Sequence, residues 1–265
     1  MSDRYRAARS WNRRYVMVTR SRFRAYAAVV VFLTIVSAAP AKYSGGTGEP
    51  NDPYQIATAA DLIALGETPD DYDKHFILTA DIDLDPNLPG RKIFDKAVIA
   101  PTTVEHPSPG FSAFRVTPFT GAFDGRGHQI SRLTIRGEID VGLFGQSRAE
   151  VKNVGIVNVN VTGSASTVGG LVGQNSGTVS RCYSTGSVSG NSDVGGLVGG
   201  NYGTVTDCNS TGAVTGKNIV GGLVGRNWGT LTDCRSMGAV TRAGYTTGGL
   251  VGLNGGPFAY GSVTG

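Results

Sequence analysis

From Val141 onward the apolar positions come in twos and threes, set between glycines, serines and asparagines, and no run of ten or more residues keeps a helical period. Short β-branched pieces such as LVG, TVT and AVT alternate with turn residues, a pattern that predicts short strands joined by bends. The pattern also repeats. Leu171, Leu197, Leu223 and Leu250 head successive copies at spacings of 26, 26 and 27 residues. Behind Leu171 come Gly173, Asn175, Gly177, Thr178, Val179, Cys182, Thr185, Gly186 and Val188; behind Leu197 the same order returns as Gly199, Asn201, Gly203, Thr204, Val205, Cys208, Thr211, Gly212 and Val214. A degenerate earlier copy starts at VGLFG, Val141 to Gly145, with Val154 in the column of Cys182, and the last copy shortens to NGGPFAYGSVTG.

A unit of about 26 residues made of three short strands and three turns predicts one coil of a parallel β-solenoid, each coil about 4.8 Å above the last so that like residues stack on like. Val179 and Cys182 are three apart, which in a straight strand would turn them to opposite faces. A bend is therefore expected near Arg181, Asp207 and Asp233, giving an inward column of Val179, Cys182, Ser184 and Val188. The stretch VGGLVGGNYG, 194 to 203, then reads as a corner taken once per coil, its glycines permitting the turn, Leu197 and Val198 filling the core.

Residues 42–140 show no such period and predict an N-terminal cap with the first irregular coils, ahead of the repeat coils of 141–265. Thr58-Ala-Ala-Asp61 followed by Leu62, Ile63 and Leu65, then Gly66, predicts a short capped helix. His75 to Leu84 reads as one strand, with Ile82 and Leu84 on one face and Asp81 and Asp83 on the other. Six prolines between Pro86 and Pro118 predict loops with short strands such as AVIA. Gly121 to Ile135 reads as a strand pair turned by Asp124-Gly125 and Arg126-Gly127.

Composition adds that 27 of the 40 glycines lie between Gly163 and Gly265, so the glycine-rich character belongs to the repeats. The formal net charge of +4 invites a nucleic-acid partner, but eight of the 24 basic residues lie in the first 41 positions against one acid, Asp3. Without that leader 16 basic residues face 19 acidic ones, and nucleic acid is excluded as a partner. Ala25 to Ala41 carries no charge and ends Ala39-Pro40-Ala41, so 1–41 reads as a secretory signal peptide, with Met17 as an alternative start. The rival reading is an uncleaved N-terminal anchor, the one way this chain would meet a membrane. Either way the product is expected to be secreted or on the cell surface. Nothing after Gly256 resembles a cap, so either truncation at Gly265 or continuation into further coils is expected.

The repeated G-G-L-V-G-x-N resembles the GLUG motif, and YSGGTGEPNDPYQIATAADLIALG and FTGAFDGRGHQISRLTI are similar to segments that precede it in secreted bacterial proteins. The resemblance covers most of the chain after Lys42. It implies a right-handed parallel β-helix, all-β, of the kind found beside immunoglobulin A protease-type and adhesin-like proteins, and it implies no catalytic residue set within the repeat.

Candidate chemistry is sparse. A phosphate-binding loop would need Gly-x-Gly-x-x-Gly or Gly-Lys-Ser/Thr opening a helix, and neither occurs. Asn175, Asn201, Asn227 and Asn254 share a column and can hydrogen-bond along the solenoid as an amide ladder. Cys182, Cys208 and Cys234 share another; coil spacing would permit a disulfide, but Val154 in the same place favours a buried reduced stack, and no Cys-x-x-Cys or histidine column suggests a metal. His-Glu-x-x-His, Gly-x-Ser-x-Gly and a Cys-His pairing are absent, with His75, His106 and His128 scattered. Asp81, Asp83 and Asp85 could share a strand face, and Asp124 stands beside Arg126 and His128. Pro86 and Lys92 occupy places where a calcium-binding EF-hand loop needs Gly and Glu. Asp193, Asp207 and Asp233 are too few for a catalytic wall.

What varies between copies faces solvent. Ser176, Tyr202 and Trp228 form one such column and Gln174, Gly200, Arg226 and Leu253 another. Tyr202 and Trp228, with Arg226, could form an aromatic platform for an extracellular glycan or surface protein, or could shield the sheet. The expectation is an exported, non-catalytic structural or adhesive module without cofactor; a polysaccharide lyase or hydrolase on the same fold is the alternative.

Overall fold

The computed structural model describes residues 42–108, 111–242, 245–255 and 261–264. The expected signal peptide or anchor, 1–41, lies outside the described residues. The rest is a parallel β-solenoid of about seven turns, with coils about 26 residues apart and one short α-helix near the N-terminus.

The register follows the repeat. Val172 pairs with Val198, Val198 with Val224 and Val224 with Val251. Four parallel sheets of eight, nine, five and four strands run up the solenoid. A full coil holds five strands, as in Val194–Gly195, Val198–Asn201, Thr204–Thr206, Asn209–Ser210 and Ala213–Gly216, where three were expected. The extra corners come from two backbone devices. Arg181, Asp207 and Asp233 take a left-handed conformation (φ 51°, 52° and 52°) and produce the anticipated bend. At the other corner the glycines have no positive φ; a Cβ on Gly195 would lie 2.0 Å from the Val198 carbonyl oxygen, and one on Gly196 2.1 Å from Ser210 Oγ. Those glycines are required for close approach of backbone strands, not for backbone freedom.

The inward column Val179, Cys182, Ser184 and Val188 is buried, at most 3% exposed. Leu171, Leu197 and Leu223 are completely buried, each worth about 1.5–3 kcal/mol in transfer from water. Towards the N-terminus the core widens to hold aromatic rings: Phe119 touches Phe76 and Phe144 at centroid distances of 6.0 and 5.2 Å, and Phe123 packs edge-on to Phe144.

The cap forms as patterned. Helix Ala59–Gly66 begins with a capping box, Asp61 N donating to Thr58 Oγ1 (3.1 Å) and Thr58 N to Asp61 Oδ2 (2.9 Å), and buries Leu62 and Leu65. Two expectations upstream are corrected. His75 to Leu84 is not one strand but His75–Leu78 and Ile82–Asp83 on two different sheets, although Ile82 and Leu84 do face inward. Gly121 to Ile135 is not a hairpin: Ala122–Asp124, Gln129–Ser131 and Thr134–Gly137 each pair in parallel with the following coil. Arg126 and Gly127, both at positive φ, carry the chain to the next face instead of folding it back. AVIA is buried but held by a single bridge, Ile99 to Phe144. The one antiparallel strand pair among the described residues joins Thr103–Ser108 to Phe111–Arg115.

Candidate functional site

Inside the repeats most buried polar side chains satisfy one another; Ser236 Oγ and Thr246 Oγ1 are the exceptions among the described residues. Asn175 Nδ2 donates to Asn201 Oδ1, Asn201 Nδ2 to Asn227 Oδ1 and Asn227 Nδ2 to Asn254 Oδ1, each at 2.8 Å. Each amide also closes its own turn, as when Gly203 N donates to Asn201 Oδ1 (3.2 Å). The first three are fully buried and Asn254 is exposed. Ser184 Oγ donates to Ser210 Oγ at 3.2 Å in the same fashion.

Cys182, Cys208 and Cys234 are free thiols, stacked so that Cys182 N donates to Cys208 Sγ at 3.4 Å. Each sulfur hydrogen lies near a backbone carbonyl, Thr206 O for Cys208 and Thr232 O for Cys234. The hydrogen bond from the neighbouring thiol, together with burial, pushes the pKa of Cys208 and Cys234 far above the ordinary thiol range. A raised pKa disfavours the nucleophilic thiolate at these two positions.

Outside, Tyr202 and Trp228 stack at 4.4 Å between centroids with planes 16° apart. That distance is close to the rise of one coil, so each ring lies across the solenoid axis and covers a face of its neighbour. The pair therefore offers ring edges, with Tyr202 still 48% exposed, and not a two-ring floor. The Arg226 guanidinium sits 4.9 Å from the Trp228 centroid and donates through Nε and Nη2 to Asp193 Oδ1, at 3.2 and 3.0 Å. Burial, then the Asp193 carboxylate, raises the Tyr202 pKa. The Asp193–Arg226 pair was missed by sequence reasoning. So was the equivalent node below it, where Asp140, 5% exposed, accepts from Thr102 Oγ1 (2.6 Å), Gln146 Nε2 (2.8 Å) and Thr167 Oγ1. The signal existed: Val141, Val168 and Val194 are in register, which puts Asp140, Thr167 and Asp193 in one column.

The upstream carboxylates are tied up. Asp81 Oδ1 lies 3.0 Å from His128 Nδ1 and accepts from Gln129 N at 3.1 Å; the backbone bond, then the histidine, lowers its pKa, the wrong direction for a general acid. Asp83 is paired with Arg132, whose Nε also lies 3.6 Å from Asp85. Asp124 does not meet His128 as a cluster; its Oδ1 accepts from Arg126 N and Asn153 Nδ2. Among the described residues no group of three or more His, Cys, Asp or Glu side chains is placed to hold a metal. A cleft of about 830 Å³ beneath the antiparallel arm is lined by Tyr72, Lys92, Phe94, Phe114 and Arg115 among others, and by none of the residues picked from sequence.

Known proteins share these features. The family model for the GLUG motif matches residues 164–189 and 190–215, so the chain carries GLUG repeats. Halomucin from Haloquadratum walsbyi is 34% identical over 159 residues, which is 56% of this chain and 2% of halomucin; the chain spans a small fraction of that relative. A crystal structure of a Bacteroides ovatus protein, provisionally described as an immunoglobulin A1 protease, superposes with a TM-score of 0.54 at 18% identity, covering 84% of this chain and 77% of the other. At that identity the likeness speaks for the solenoid fold alone.

Proposed function

We propose that this chain is a non-catalytic solenoid scaffold, exported to the cell surface or beyond, whose outward columns form an adhesive contact surface for glycan or protein. The observation that carries this is the division of chemistry across the coil wall. Inward, the asparagine column, the Ser184–Ser210 pair and the Cys182–Cys208 pair are spent on their counterparts in the next coil, while the outward positions differ from coil to coil, as in Ser176, Tyr202 and Trp228. Similarity to part of halomucin and the GLUG repeats fit a surface or structural role. On this reading Tyr202, Trp228 and Arg226 make a contact edge.

The test is to incubate the full chain with a panel of surface polysaccharides and peptides, measuring both retention and new reducing or amino ends. Retention without cleavage is expected, weakened by Tyr202→Ala and Trp228→Ala with an unchanged circular dichroism spectrum. Cleavage that disappears in Asp81→Asn or Asp124→Asn would replace the scaffold with the carbohydrate-active alternative.

A further inference from the structure

We propose that the open groove lined by Asp124, Arg126, Gly127, Asn153, Arg181 and Tyr183 binds a sugar ring carrying an anionic group. The proposal rests on reading the outward columns as a contact surface, and assigns a ligand class to a part of that surface away from Tyr202 and Trp228.

Four observations build the site. First, Tyr183 is in register with Gly155 in the coil below, and a Cβ on Gly155 would lie 2.2 Å from Tyr183 Cζ, 2.4 Å from Oη and 2.6 Å from Cε1. Side chains on a sheet stand roughly perpendicular to it, so a ring crossing that vector at three neighbouring atoms is laid flat along the sheet. One face rests on Gly155 and the other is turned outward. Stacking against the apolar face of a pyranose needs this presentation, which the mutually stacked Tyr202 and Trp228 lack.

Second, a hydrogen-bonded chain crosses three coils along the groove. Asn153 Nδ2 donates to Asp124 Oδ1 (2.9 Å), and Arg181 Nε donates to Asn153 Oδ1 (2.7 Å). The Arg181 side chain is thereby oriented, while its terminal nitrogens have no partner among the described residues. Arg126 is exposed and likewise free of an ion pair among the described residues, only its backbone N–H engaging Asp124 Oδ1 (2.8 Å). A guanidinium matches carboxylate or sulfate in a bidentate fork, so two of them unspent beside an open ring select an anion.

Third, Asp124 uses Oδ1 for both of its bonds, leaving Oδ2 to accept from a sugar hydroxyl. Fourth, the groove holds about 470 Å³, within the range of small-ligand sites. Arg126 and Arg181 both line the groove, each from a left-handed bend in the backbone (φ 49° and 51°). Asp207 occupies the next coil of the Arg181 column.

The experiment is calorimetric titration of the full chain with oligogalacturonate, a sulfated oligosaccharide and a neutral glucose oligomer. Binding of one or both anionic probes, and not of the neutral one, is expected, and the two anionic arms tell carboxylate from sulfate. Binding should weaken by about tenfold or more in the R126Q/R181Q double variant and in Tyr183→Leu, which keeps Gly155 covered without a flat ring. Arg126→Gln alone, whose exposed side chain makes no hydrogen bond or ion pair among the described residues, should keep the fold and still weaken binding, so loss of the others through misfolding does not shelter the idea. Equal binding of the neutral oligomer, no anionic binding by the parent chain, or undiminished binding in R126Q/R181Q overturns the assignment. Cleavage of the bound oligosaccharide would instead overturn the scaffold reading while leaving the groove as its binding site.

Discussion

Replacing Asn201 by alanine removes the middle rung of the buried amide ladder, and the structure gives the size of the loss. Gly203 N loses its acceptor and Asn227 Oδ1 loses its donor. Asn175 Nδ2 keeps the Gly177 and Thr204 carbonyls, so it is not orphaned. Two buried polar groups left unpaired at about 1–3 kcal/mol each give a destabilisation of about 2–6 kcal/mol. The same substitution at Asn254, the exposed end of the column, leaves Asn227 Nδ2 with Gly229 O and Ser262 O and should cost only about 0.5–1.5 kcal/mol. With a urea slope of about 3 kcal/mol per molar, Asn201→Ala should lower the unfolding midpoint by about 0.7–2 M and Asn254→Ala by less than about 0.5 M. Circular dichroism in urea reads both. Asn201→Asp adds a control on sign: burial raises the pKa of the new carboxyl, so its stability deficit should shrink as pH falls from about 7 to 4 and the protonated oxygen becomes a donor. Equal midpoint shifts at 201 and 254 would refute the ladder as an energetic unit.

Three further outcomes follow from the same geometry. Gly196→Ala should destabilise by about 1–3 kcal/mol, because its Cβ would meet Ser210 Oγ at 2.1 Å, whereas at Gly200 the nearest atom is Thr167 Cγ2 at 3.2 Å and Gly200→Ala should be close to neutral in thermal denaturation. Raised thiol pKa values at Cys208 and Cys234 mean the native chain holds protons that the unfolded chain releases; stability is therefore full below the unfolded-thiol pKa of about 8.5 and falls above it, by up to about 1.4 kcal/mol per pH unit for buried Cys208 and by less for half-buried Cys234, where solvent screens the effect, and a Cys208→Val/Cys234→Val chain should show a shallower decline between about pH 8 and 10. Asp207→Val places a β-branched residue at φ 52° and should cost about 1–2 kcal/mol, while Asp207→Gly should not destabilise; equal melting temperatures for the two would count against the left-handed bend.

Much of the solenoid was legible because repetition lets each coil annotate the others. Val154 below Cys182, or the three-residue step from Val179 to Cys182, identified columns and a bend from spacing alone, and the bend falls at positive φ. Legibility failed where a segment occurs once. Gly121 to Ile135 offers Asp-Gly and Arg-Gly, the chemistry of a hairpin turn, and only the parallel register with Glu150–Lys152 and Gly155–Gly163 decides against one. Strand count per coil also escaped, since a corner made by a close-packed glycine looks, in sequence, like one made by a flexible glycine. Contacts across coils, such as Asp193 with Arg226, 33 residues apart, depend on which outward side chains lean along the axis, and periodicity says nothing about lean.

That same lean separates the two aromatic features on the outer wall. Tyr202 has a large residue one coil above, and the two rings come to rest on each other. Tyr183 has a glycine one coil below, and its ring lies down on the sheet. Column neighbours thus decide whether an outward aromatic closes on itself or faces solvent. In an array whose interior is held constant, a glycine beside an aromatic in the same outer column is what leaves a ring face open to a ligand, and a second bulky residue in that column closes it.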